Sequence, residues 1–158
     1  MSSDQPPSYY GRPILKEPVW TWEIPAYFFA GGVGGACGTL AGLAKLAGNE
    51  PLSKVASYVG AACDTISPAL LVSDLGRPER FVNMFRVFKV TSPMSVGSWL
   101  LAVGGTSSGV GALLDAAGRA PRLRAAAHVV SALVGPPQCT YTAALVAQTS
   151  IPVWHEAR

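Results

Sequence analysis

Four apolar stretches, at about residues 20–46, 52–75, 94–114 and 125–154, dominate this chain of 158 residues. Crossing a bilayer as a helix takes about 20 apolar residues, and only helices and closed barrels satisfy every backbone group there. The chain therefore reads as all-α and integral to a membrane. It is a four-transmembrane-helix bundle over residues 19–158, with a Pro-rich N-terminal arm at residues 1–18.

Composition agrees, since charged residues make up 13% of the chain, about half the share in a soluble domain. The net charge of +3 lies almost wholly outside the apolar stretches. No basic patch interleaved with aromatics points to nucleic acid. The first eighteen residues lack the apolar core of a cleavable signal peptide, so the first helix itself would serve for targeting. The expected setting is a membrane crossed several times.

Small residues concentrate inside the helices. The run from Gly31 to Gly38 and the series Gly97, Gly104, Gly105, Gly109 and Gly111 let helix backbones approach closely. Trp20, Trp22, Tyr27, Phe28 and Phe29 suit a membrane interface at the start of the first helix. Gly48 to Pro51 is a tight turn, and Pro68 is expected to bend the second helix, with Ser67 helping to satisfy the freed carbonyl. Pro136 and Pro137 are expected to interrupt the fourth. The segment from Asp74 to Pro93 alternates basic and aromatic residues and is expected to form a short amphipathic surface element. Lys and Arg divide seven to five between the two sides, too evenly for the positive-inside rule to orient the bundle.

Asp64 stands near the middle of the second apolar stretch. A carboxylate there is costly unless neutral, paired or hydrated, and so marks an ion, proton or cofactor path. Further polar residues gather toward the side holding both termini: Glu23 and Tyr27 on one face of the first helix, Asp74 and Arg77 after the second, Gln138 and Tyr141 in the fourth. A carboxylate and a phenol at an interface can hold a quinone headgroup and move its protons. Equally, Glu23 can be an exposed interfacial acid and Tyr27 a belt aromatic. Asp74 caps the turn or pairs with Arg77, or relays protons together with Asp64. Arg77 and Arg80 offer a docking site for a peripheral partner.

Cys37, Cys63 and Cys139 stand singly, with no paired spacing for a metal or an iron–sulfur cluster. His128 and His155 are 27 residues apart in one helix, about 40 Å. One haem cannot join them. No metal site and no catalytic residue of a complete enzyme is visible.

Several longer words then carry a resemblance: YGRPILK (10–16), VWTWEIP (19–25), SPALL (67–71), DLGRPERF (74–81), TSPMSVGSW (91–99) and PVWHEAR (152–158). Together they resemble the membrane subunit of the NrfD and polysulfide-reductase family, over essentially the whole chain. The resemblance implies a quinone-reacting anchor, using menaquinone or ubiquinone and binding no haem or iron–sulfur cluster of its own. Such an anchor exchanges electrons with a ferredoxin-like iron–sulfur subunit, beyond which many complexes carry a molybdopterin catalytic subunit. It implies a quinone site at Glu23 and Tyr141, near Tyr27 and Gln138, with Asp64 a proton relay one or more turns away. Family members usually carry two four-helix bundles, so a second membrane bundle or a missing C-terminal half is expected as a partner. The alternatives are a non-catalytic scaffold, in which Asp64 bonds a neighbouring Ser or Thr, and a proton-translocating subunit without its own quinone site.

Overall fold

A computed structural model describes residues 21–75 and 77–147. Four long helices follow one another: α1 Glu23–Leu46, α2 Glu50–Asp74, α3 Pro93–Ala117 and α4 Pro121–Ala147. A 3-10 helix, Pro78–Phe85, lies in the link between α2 and α3. All four long helices are long and apolar enough to cross a membrane. The N-terminal arm, Trp20, His155 and the end of the expected fourth helix lie outside the described residues.

The helix ends follow local chemistry. Asn49 caps α2, its Oδ1 accepting from the Leu52 amide at 3.2 Å, and Pro51 fills an early position where no amide donor is needed. Ser92 caps α3 ahead of Pro93. Gly118 ends α3 with φ 61°, a left-handed conformation that costs glycine nothing. The short α1–α2 and α3–α4 connections make those two pairs of helices run antiparallel, while a longer segment carrying the 3-10 helix joins α2 to α3. Around the bundle α1 touches α2 and α4, α3 touches the same two, and α1 and α3 face each other across one diagonal.

Polarity is reversed relative to a water-soluble bundle. Phe29, Leu46, Leu113 and Leu133 are each more than 70% exposed, whereas the buried face of α2 is Ser53, Ala56, Ser57, Gly60, Asp64 and Ser67. Lipid accepts the large apolar side chains, and small residues let the backbones close together. Gly35 and Gly135 meet nearly backbone to backbone, so a Cβ on Gly35 would stand 2.7 Å from the Gly135 carbonyl oxygen.

Two details differ from expectation. The fourth helix runs unbroken through Pro136 and Pro137; the Thr140 hydroxyl donates to the Pro136 carbonyl at 3.0 Å. Ser67 does not serve the carbonyl freed by Pro68, but donates to the Tyr27 carbonyl of the neighbouring α1 at 3.4 Å. The carbonyl four residues before Pro68 belongs to Asp64 and faces Gly105. The expected surface element between α2 and α3 is present as the 3-10 helix.

Candidate functional site

Asp64 is only 6% exposed and ties three helices together. Its Oδ2 accepts from the Ser108 hydroxyl of α3 at 2.6 Å, and its Oδ1 accepts from Gln138 Nε2 of α4 at 2.6 Å. Gln138 Nε2 also reaches the Gly31 carbonyl of α1 at 3.4 Å. All four helices therefore meet at one buried polar knot.

Glycines make the room. A Cβ on Gly34 would strike the Asp64 carboxylate, one on Gly104 the Gln138 amide oxygen, and one on Gly97 the Tyr141 ring. Each large polar side chain inside the bundle thus projects from one helix onto a bare backbone of the next. The small-residue runs are seats for functional groups as well as contact faces.

A cavity of about 630 Å³ opens beside the knot. Ile24, Tyr27 and Phe28 of α1 wall one side, and Asp64, Pro68 and Leu71 of α2 the next. Leu101, Gly105 and Thr106 of α3, together with Tyr141 and Leu145 of α4, complete the bundle wall. Phe81, Met84 and Phe85 of the 3-10 helix cover it. Phe85 is held by an edge contact with Trp99, ring centres 5.7 Å apart. The size falls within the range typical of small-molecule sites.

Tyr141 is 7% exposed, and its hydroxyl has no hydrogen-bond partner among the described residues. A buried hydroxyl left unpaired is costly, and here it belongs to a residue of the cavity wall. Asp64 has capacity to spare, because each carboxylate oxygen accepts one side-chain bond and can accept two.

The model of the polysulphide reductase NrfD family matches residues 14–158. The chain belongs to the NrfD family. Neither the curated proteins nor the solved structures contain a significant match. With four membrane-capable helices, this NrfD chain is a multi-pass membrane protein.

Of the residues singled out from the sequence, the NrfD chain brings Tyr27, Asp64 and Tyr141 to the cavity wall. Asp64 is part of that wall. Gln138 is 1% exposed, lies outside the lining, and acts on Asp64. Glu23 also lies outside the lining; it sits in the first turn of α1 with Oε2 enclosed and without a described partner. Asp74 is exposed and accepts from the Thr21 hydroxyl at 2.7 Å, which ties the start of α1 to the end of α2. It stands ten residues from Asp64 along α2, about 15 Å. Arg77 and Arg80 are exposed beside and on the 3-10 helix.

Sequence reading passed over Ser108, and over a second buried pair in this NrfD chain. His128 Nε2 and Asp115 Oδ2 lie 2.9 Å apart at the opposite end of the bundle. The available signal was spacing: His128, Ser131, Gly135, Gln138 and Tyr141 follow one another at three- and four-residue steps, the stripe of a single helix face.

Proposed function

We propose that this chain is a quinone-reacting membrane subunit of a multisubunit oxidoreductase, with the headgroup held between Tyr27, Asp64 and Tyr141. One observation supports this reading above the others. A mostly apolar cavity presents a carboxylate with spare acceptor positions beside a buried phenol that has no described partner.

A bound quinol supplies two electrons and two protons. Asp64 is positioned to receive a proton from the cavity while Ser108 and Gln138 hold its carboxylate in place. The hydroxyls of Tyr141 and Tyr27 orient the ring oxygens, and Phe81, Met84 and Phe85 exclude water. Glu23, next to the cavity residue Ile24, is a second carboxylate for the same proton traffic. Electrons pass to a ferredoxin-like iron–sulfur subunit docked on the face of Arg77 and Arg80, with a molybdopterin subunit beyond it. Menaquinone and ubiquinone both fit this chemistry, in either direction of electron flow.

The test is quinone-linked turnover of the reconstituted complex. Asp64→Asn keeps the shape and removes the proton acceptor, so turnover falls by about a hundredfold or more in a complex that still assembles. Unchanged turnover in an assembled Asp64→Asn complex would sink the reading and leave Asp64 as a structural tie in a membrane scaffold.

A further inference from the structure

A second cavity lies on the outer side of the bundle, where the link between α2 and α3 meets the α3–α4 seam. It is a groove of about 440 Å³ lined by Phe88 of the link, by Val96, Trp99, Leu100 and Val103 of α3, and by Val134 of α4. Phe88 meets Trp99 edge-on, ring centres 6.2 Å apart, and Phe88 and Val103 are both exposed. From Val96 to Val103 the groove follows α3 for about 10 Å of rise, about two thirds of the hydrocarbon depth of one leaflet. Its lining differs from the buried faces of α1, α2 and α3, which are mostly Gly, Ala and Ser. Small residues let a neighbouring backbone close in, whereas Phe, Trp, Val and Leu side chains hold one away. A flexible hydrocarbon chain fits where a helix does not.

Charge stands at the mouth of this groove. Lys89 follows Phe88, and its backbone amide donates to Ser95 Oγ at 3.1 Å while that hydroxyl donates to the Val87 carbonyl at 3.0 Å. The segment is thereby pinned to the first turn of α3, beside Val96. The side chains of Arg86 and Lys89 are exposed and have no hydrogen bond or ion pair among the described residues. No Asp or Glu occurs from residue 80 to 114, and none in α4. Glu79, the nearest acid along the chain, stands at the far end of the 3-10 helix.

We propose that the groove binds one acyl chain of an anionic phospholipid, whose phosphate is held by Arg86 and Lys89. An apolar slot with two cations at its interfacial end, neither of them neutralised from within the chain, matches the two parts of such a molecule. Lys and Arg beside a membrane attract anionic headgroups in a salt-sensitive way; a zwitterionic headgroup brings its own cation and gains less. The groove shares no lining residue with the Asp64 cavity, so the site stands whether or not that cavity takes a quinone.

Trp99 reports on the groove directly. In the full chain carrying Trp20→Phe, Trp22→Phe and Trp154→Phe it is the one indole left, and a lipid with brominated acyl chains quenches its fluorescence on contact. The chain is reconstituted in mixed vesicles of phosphatidylglycerol and phosphatidylcholine, with the bromine on one lipid or the other. Phosphatidylglycerol is expected to occupy the groove about tenfold more strongly than phosphatidylcholine. The preference falls to about one when Arg86→Gln and Lys89→Gln are combined, and it shrinks at high salt. Equal quenching by the two lipids, or a preference that survives the loss of both cations, overturns the proposal. Quenching by neither lipid also overturns it, and shows the groove covered by protein, either a second copy or another membrane chain.

Discussion

Gln138 Nε2 donates to Asp64 Oδ1 over 2.6 Å, and that bond spans the α2–α4 diagonal of the bundle. It holds the one mid-span carboxylate of α2 at the cavity wall, where a freely rotating Asp would have several positions. Gln138→Leu keeps most of the volume and leaves Oδ1 without its donor. The expected loss is about 1–3 kcal/mol, seen as a lower thermal unfolding midpoint in detergent. In the double variant with Asp64→Asn the two effects are non-additive.

Gly34 and Gly104 matter for the space they leave. Alanine at Gly34 collides with the Asp64 carboxylate, and alanine at Gly104 with the Gln138 amide. Each substitution is expected to cost about 1–3 kcal/mol through overpacking. Alanine at Gly109, where a Cβ meets nothing within 4 Å, is the control and leaves the midpoint unchanged or slightly raised. Thermal unfolding of the three variants side by side checks this.

Tyr141→Phe separates binding from stability. Its hydroxyl has no described partner within the chain, so removing it leaves the unfolding midpoint level or higher. Affinity for a quinol analogue falls about tenfold, the equivalent of about 1.4 kcal/mol. A lowered midpoint with unchanged affinity would assign the hydroxyl to the fold.

Much of this architecture is readable in the residues. Apolar length places the four helices, the Gly48–Asn49–Glu50 turn announces the α1–α2 hairpin, and the glycine runs announce the contact faces, because each is a local property. What joins distant positions is not. Asp64 and Gln138 are 74 residues apart, and nothing local distinguishes Gln138 as a ligand of the headgroup from Gln138 as the holder of Asp64. His128 tested only against His155 yields no site, whereas its partner Asp115 lies across a helix turn. Ser67 looks local and is not, since its hydroxyl crosses to α1 once the helices pack.

The 3-10 helix closes the cavity with aromatic side chains and few other ties. Phe85→Ala removes one wall and its edge contact with Trp99. Analogue dissociation is expected to quicken several-fold in stopped-flow measurements, with a small change in unfolding midpoint, because no residue of this element is fully buried.

The most direct measurement is photolabelling of the full chain in lipid with an azidoquinone, followed by peptide mapping. The cavity site predicts label on Tyr27 or Phe28, on Phe81 to Phe85 and on Tyr141 or Leu145, reduced in Tyr141→Phe. Label confined to the outer apolar groove of Phe88, Trp99, Val103 and Val134 would contradict it.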